Sequence, residues 1–468
     1  MSSSPLPPLR VAIVGSGPSG FYAAEHLQKK APGVAIDMFD RLPTPFGLVR
    51  GGVAPDHQKI KSVTKVYDRI AAQPGFRFFG NVAIGRDLLR EELLAAYHAV
   101  IYAVGAPGDR ALGVPGEQLP GSHAATEFVG WYNGHPDYRD LEFDLSQESV
   151  AVVGMGNVAV DVVRILARTP EELARTDIAP HALEALAASR VRTIYLLGRR
   201  GPAQGAFTNP ELKELGELPG ADVLVDPAEL VLDPASAEAL AASEDREPEK
   251  NLRTLRAFAE RAPAGKPRRI RIRFCVSPVE LVGRDRVEAI RLVRNRLVRG
   301  ADGQIRAEPT GEHETLPAGL VFRSVGYFGV GVPGVAFDPR RGVIPNVGGR
   351  VMLGPDAPSR GEYVVGWIKR GPSGVIGTNK PDAVETVEAL LEDAAAGALA
   401  EPPAPRDSIE QLLAERGIRY VTYADWKALD ELECAKGQPL GRPRLKFTRV
   451  AEMLEAIEEC RTGSSRAS

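Results

Sequence analysis

The chain opens on a short apolar run, Val11-Ala-Ile-Val14, that stops at Gly15-Ser16-Gly17-Pro18-Ser19-Gly20. Apolar residues then return at helical spacing in Phe21-Tyr-Ala-Ala-Glu-His-Leu27, so the order predicts strand, tight turn and helix. A second run, Val34 to Phe39, predicts another strand and ends on Asp40. The pattern recurs downstream. Ser149-Val-Ala-Val-Val153 leads into Gly154-Met155-Gly156-Asn157-Val-Ala159, and helical spacing follows through Val162-Val-Arg-Ile-Leu166. After a polar insertion from Thr169 to Arg190, a predicted strand from Thr193 to Leu197 ends at Gly198-Arg199-Arg200-Gly201.

Both units carry the spacing of a dinucleotide fingerprint. The first glycine makes the turn, the second lets pyrophosphate approach, and the third, Gly20 or the permitted Ala159, packs helix on strand. The units differ where the second strand ends. Asp40 offers a carboxylate to ribose hydroxyls, whereas Arg199 and Arg200 offer guanidinium forks to a 2′-phosphate. The first unit therefore suits FAD or NAD, and the second suits NADP. Two unlike dinucleotide units in one chain point to hydride passing from a nicotinamide to a second redox cofactor, most economically a flavin.

Two near-twin apolar strands, Ala99 to Ala106 and Leu320 to Tyr327, bracket the second unit and place the crossovers there. The expected fold is α/β, with two Rossmann-like domains in a glutathione-reductase-like arrangement and the NADP domain inserted into the FAD domain. The boundaries read as 1–107 and 326–395 for the FAD domain and 108–325 for the NADP domain. Residues 396–468 read as a linker and a helical tail packed on the FAD domain. The linker is the Ala-, Gly- and Pro-rich stretch Ala394 to Pro405, and the tail has helical patterning at 424–432 and 450–457.

Composition narrows the chemistry. At 468 residues the chain holds about two to four domains. Its 44% hydrophobic and 25% charged residues are those of a globular protein. A net charge of -3 supplies no global field for nucleic acid or an anionic membrane. The three cysteines, Cys275, Cys434 and Cys460, form no C-x-x-C pair, so a disulfide scaffold, a cysteine zinc site, iron–sulfur ligation and a redox-active dithiol are not expected, and no metal is assigned. No apolar run reaches a membrane span and no targeting segment is read, so a cytoplasmic protein is expected. The remaining exit for electrons is one at a time, to an external carrier such as a small iron–sulfur protein; a flavodoxin stays open. Such carriers are usually acidic, and a basic strip is the densest candidate for a docking face. It comprises Arg269, Arg271 and Arg273 on one side of a strand, with Arg291, Arg294, Arg296 and Arg299 nearby. A solvated edge strand would carry the same pattern.

Five longer stretches resemble one family, the adrenodoxin-reductase-type ferredoxin-NADP reductases, its bacterial members above all. They are Pro43 to Arg50; Gly52 to His57; Gly154 to Asp161; Gly198 to Pro202 with Phe207-Thr208 and Glu211 to Glu214; and Gly366 to Asn379. The resemblance implies FAD contacts at Ser19, Asp40, Leu48 and Ile84, although the family more often has Glu at the position of Asp40. It implies flavin-ring contacts at Trp367, Gly374, Val375 and Ile376. It implies NADP(H) contacts at Arg110, the Gly154 to Asn157 turn, Arg199, Arg200, Glu211 and Gly374. His57 is implied to sit beside the flavin, where we expect it to pair with Glu214 across the domain cleft, with Asp161 lining the same cleft. Read without the resemblance, Trp367 is a core aromatic, Glu211 a solvated helix charge and His57 a helix-capping or surface histidine. The implied partner is a ferredoxin-type carrier, and the chain is expected to be a monomer or weak dimer. The rival readings are a flavoprotein subunit of a larger complex, which usually carries an N-terminal Cys-rich segment not seen here, and a redox-sensing dinucleotide-binding module.

Overall fold

A computed structural model describes residues 9–464 of the chain. Its first sheet has seven strands in the order Asn346–Val347, Arg350–Gly354, Ala357–Val364, Ala99–Tyr102, Arg10–Val14, Ala35–Phe39 and Phe76–Phe79. The last five run parallel, and the first two add on as antiparallel turns of chain. The second sheet has six parallel strands in the order Ser122–Ala124, Leu320–Arg323, Ser149–Val153, Thr193–Leu197, Arg268–Arg273 and Ala221–Val225.

Both sheets are covered on two faces, which is why their central strands read as unbroken apolar runs and not as alternation. Val11 and Ile13 enter one core of the first sheet while Ala12 and Val14 enter the other. Val150 and Val152 oppose Ala151 and Val153 in the same way in the second sheet.

The two near-twin strands separate. Ala99–Tyr102 joins the first sheet and Leu320–Arg323 the second, and just beyond them Gly108–Asp109 pairs antiparallel with Tyr327–Phe328. That two-stranded ribbon is the crossover between the sheets. A separate three-stranded antiparallel sheet, Val276–Val282, Ala289–Arg299 and Ile305–Pro317, projects after the strand Arg268–Arg273.

The basic strip takes a different form from the one its sequence suggests. Arg268–Arg273 is no edge: it pairs with Thr193–Leu197 on one side and Ala221–Val225 on the other. Its arginines do alternate outward, but carboxylates meet most of the strip. Arg273 pairs with Glu229 and Glu314, Arg291 with Glu280, Arg294 with Glu229, Arg296 with Glu308 and Arg299 with Glu238. Glu280 and Glu308 come from the paired neighbouring strands, whereas Glu229, Glu238 and Glu314 come from distant segments that spacing along the chain does not reveal.

The tail forms helices Ser408–Glu415, Tyr423–Gly437 and Val450–Ser464. Trp426, Leu429, Met453 and Ile457 complete the core that holds Phe21 and Tyr67, which anchors the tail on the first sheet. It also reaches the second unit. Lys446 Nζ donates to Asn133 O at 3.1 Å and lies 3.4 Å from Asp177, and Arg442 donates to Thr176 O at 3.0 Å. Asp177 in turn pairs with Lys61 at 2.7 Å, so one buried carboxylate ties three parts of the chain together.

Candidate functional site: two glycine cradles and the cleft between them

The two glycine turns have matching geometry. Gly15 and Gly154 take φ of +107° and +142°, and a Cβ on either would run into a backbone carbonyl, of Ala103 and Ser324 respectively. Only glycine fits there. Gly17 and Gly156, in contrast, face open space, as an approaching pyrophosphate requires. At Gly20 a Cβ would strike Gly15 O and Ile13, so the helix Pro18–Lys30 packs tightly on its strand.

Around the first turn, Asp40 Oδ2 accepts from the Ser16 amide at 3.1 Å and from the Ser16 hydroxyl, and Oδ1 accepts from Leu42 N at 2.9 Å. A carboxylate has about four acceptor sites, so capacity is left for a ribose. Ser19 Oγ donates to Asn379 Oδ1 at 3.0 Å, and Gly366 is pressed against Ser19. These contacts bring the Gly366 to Asn379 stretch onto the start of the first helix. Trp367, half-buried, donates from Nε1 to Ser373 O at 3.1 Å and lies 5.0 Å from the Tyr327 ring. Gly374 (φ +78°) precedes the turn Ile376–Thr378, which opens the helix Asn379–Ala395; Val375 is 56% exposed. Leu48 starts a short helix whose Gly47 packs against Gly17. Ile84 packs against the core that contains Val14 and Phe39.

The second turn is covered by the segment that follows it. Met155 O accepts from Ala206 N at 2.7 Å, and Asn157 Oδ1 accepts from Thr208 N at 2.8 Å. Arg199 and Arg200 are exposed. Burial and the neighbouring Arg199 pull the Arg200 pKa down, and no carboxylate meets either side chain among the described residues. Glu211, half-buried on the helix Asn209–Glu217, has an Oε2 that is buried and has no hydrogen-bond partner among the described residues, and burial raises its pKa. Arg110 is exposed on the crossover ribbon: its amide donates to Gly326 O at 3.0 Å and its guanidinium lies 5.5 Å from the Phe328 ring.

Between the cradles the two units meet. His57 is the N-cap of the short helix Gln58–Lys61, but its side chain makes no cap. Instead Nε2 lies 2.9 Å from Glu214 Oε2 and Nδ1 lies 4.0 Å from Asp161 Oδ1. Burial pulls the His57 pKa down, but the Glu214 bond, with Asp161 and Asp56, outweighs it and raises the net value. Glu214 is lowered: burial pushes it up, and His57 and Arg164 more than offset that. Asp161 is raised, by burial first, despite Arg164 and His57. A cavity of about 320 Å³ lined by Asp56, His57, Arg168, Glu214, Glu217 and Leu218 adjoins the pair.

Sequence reasoning missed three residues here: Asp56, Arg164 and Arg168. Arg164, fully buried on the helix Asn157–Ala167, pairs with Asp56, with Asp161 at 2.6 Å and with Glu214 at 3.2 Å. Arg168 pairs with Asp56 at 2.7 Å. The available signal was an arginine inside an otherwise apolar helical run, since buried arginines almost always have partners. Asp56, His57 and Glu214 have donor atoms within 4.8 Å of one another, as a metal would need, but the two guanidinium groups already neutralise them. Among the described residues, no helix is long and apolar enough to cross a membrane.

Comparison with known proteins agrees with this geometry. The pyridine nucleotide-disulphide oxidoreductase family matches residues 9–195. The NADPH-ferredoxin reductase FprA of Mycobacterium tuberculosis is 51% identical over 457 residues, covering 96% of this chain and 98% of its own. The human mitochondrial NADPH:adrenodoxin oxidoreductase is 45% identical over 460 residues, covering 96% and 92%. The structure of M. tuberculosis FprA in complex with NADPH superposes with a TM-score of 0.90 at 49% identity, covering 96% of this chain and all of the other. With two Rossmann-like units, the fingerprint turns in register and identity of this extent, the chain belongs to the adrenodoxin-reductase-type family of NADPH-ferredoxin reductases.

Proposed function

We propose that this chain is a ferredoxin-NADP reductase, with FAD in the first cradle, NADP(H) in the second and a ferredoxin-type iron–sulfur protein as electron acceptor. One observation carries the reading: the two open glycine cradles end on opposite chemistries, a carboxylate at Asp40 and, at Arg199 and Arg200, a guanidinium pair that meets no carboxylate among the described residues. Gly15, Gly17, Ser19, Gly20, Asp40, Leu48 and Ile84 hold the FAD nucleotide, with Trp367, Gly374, Val375 and Ile376 at its ring. Gly154, Met155, Gly156 and Asn157 receive the NADP(H) pyrophosphate, Arg199 and Arg200 its 2′-phosphate, and Glu211 and Arg110 flank it. When bound, the nicotinamide supplies a hydride and the flavin accepts it and releases electrons singly.

The chain's own task is orientation. His57, Glu214 and Asp161 join the two units at the cleft, and Arg164 pairs with all three carboxylates around His57, Asp56, Asp161 and Glu214. A charged network of this kind fixes the spacing between the cradles, and reaction rates are sensitive to such spacing. The unit boundaries of 108–325 for the inserted NADP domain and 326–395 for the return of the FAD domain accompany this reading, as do a cytoplasmic location and a monomer or weak dimer.

The test is a stopped-flow spectrum of the purified holoprotein mixed with NADPH and, separately, with NADH. A yellow protein bleached much faster by NADPH, and reoxidised by added ferredoxin, is the expected result. A colourless protein after addition of FAD, or one bleached by neither nucleotide, would overturn the assignment.

A further inference from the structure

The Gly198–Gly201 turn presents two guanidinium groups to solvent while its backbone is held from behind. Arg199 O accepts from Asn295 Nδ2 at 2.9 Å, and Arg200 O accepts from Cys275 N at 3.0 Å. The two holds are joined, because Asn295 N donates to Cys275 O at 2.7 Å. The other Asn295 Nδ2 proton goes to Ser277 Oγ at 2.8 Å, so both donors of this side chain are used. Asn295 is only 6% exposed.

Its placement is specific. The pairing of Ala289–Arg299 with Ile305–Pro317 breaks register between Val293 and Asn295, and such a bulge re-aims the side chain beside it. Cys275 holds a left-handed φ of +53°, a conformation that L-residues adopt only when the surroundings impose it. The three-stranded sheet, through the Asn295 side chain, and Cys275 just before its first strand thus anchor the backbone of a turn that follows a strand of another sheet. Two like charges on adjacent residues repel, so without anchors the turn would splay.

We propose that Asn295 is a positioning residue for nucleotide selection: by holding the Arg199 carbonyl it sets the spacing of the two guanidinium groups that tell a ribose 2′-phosphate from a free hydroxyl. This rests on the reading of Arg199 and Arg200 as phosphate ligands. Two variants of similar size test it. Asn295→Asp sets a carboxylate oxygen against the Arg199 carbonyl, and Asn295→Leu removes both donors. In the FAD-loaded protein either should weaken binding of adenosine 2′,5′-bisphosphate, read by calorimetry, by about tenfold, and raise the NADPH KM in proportion. Binding of adenosine 5′-monophosphate, the NADH KM and kcat should stay within about twofold, since nothing else in the cradle changes. Ser277→Ala, which leaves the Arg199 bond in place, should match the parent protein.

Equal weakening of the two adenosine ligands would mean a general loss of structure and would overturn the proposal, as would no change in either variant. Arg199→Ala and Arg200→Ala separate the two levels. If the preference for the 2′-phosphate survives them, the phosphate reading falls and this proposal with it. If it is lost there but survives both Asn295 variants, this proposal alone falls.

Discussion

Two clusters of arginine lie on the NADP side of this molecule, and they differ in how far carboxylates neutralise them. In the basic strip Arg273, Arg291, Arg294, Arg296 and Arg299 each have a carboxylate within 4.0 Å, supplied by Glu229, Glu238, Glu280, Glu308 or Glu314, while Arg269 and Arg271 meet none among the described residues. Among the described residues no carboxylate meets Arg199 or Arg200, and the charge of Arg199 pulls the Arg200 pKa down further after burial. The denser cluster along the chain is therefore mostly neutralised in space. An unpaired pair of like charges on one turn costs stability unless a ligand relieves it, which supports the proposed phosphate site at Arg199 and Arg200.

The sharpest way to test this rule is a charge that is paired and deeply buried. Asp177 is 2% exposed and stands between Lys61 and Lys446. Asp177→Asn leaves both ammonium groups against a neutral amide, and should cost about 3–5 kcal/mol in denaturant unfolding. The NADPH KM of the folded fraction should hardly move.

The unpaired arginines should behave the other way round. Replacing both Arg199 and Arg200 by Ala removes charge-assisted bonds of about 1.5–3 kcal/mol each. The NADPH KM is expected to rise by about a hundredfold or more while unfolding stability holds or improves. A drop in stability would contradict the comparison.

The His57–Glu214 pair lies between these cases, because it is paired yet belongs to the cleft. His57→Gln should slow flavin bleaching by NADPH by about fivefold to tenfold in stopped flow. The His57 pKa is raised above 6.5, so its charged form contributes stability that is complete below 6.5 and is lost as pH climbs through the raised value. Glu214 is lowered from 4.5, so its contribution is present above 4.5 and is lost only as pH falls through the depressed value. The Tm difference between parent and His57→Gln should thus be largest between those limits and shrink above them; a flat difference would remove the ion pair.

The smallest effect is expected in the strip. Arg291→Gln together with Arg296→Gln disrupts exposed pairs worth about 0–1 kcal/mol. Ferredoxin reduction should change by less than about twofold, with its salt dependence intact. A marked loss that salt abolishes would restore the strip as the carrier's landing surface.

Much of the fold was legible because its signals are local. Val11 to Val14 and Val150 to Val153 read as strands from their apolar runs, and the turns after them from glycines whose positions allow no side chain. The paired units could be told apart because Asp40 and Arg199 occupy the same place in each. Other features were not readable in this way. Trp426 reads as one aromatic on a tail helix, yet it fills the core beneath Phe46. Arg164 sits among valines and leucines, and nothing nearby in sequence says that Asp56 and Glu214 will meet it.

Sequence alone determined the two dinucleotide units, their order and the difference in charge that separates their nucleotides, because each depends on residues within a few positions of one another. Tertiary structure alone decided which charges are free. Arg273 is neutralised by Glu229 and Glu314, His57 is held by Glu214, and Asn295 reaches Arg199, all across long stretches of chain. Electrostatic energy depends on distance in space and on burial, and neither is a property of spacing along the chain.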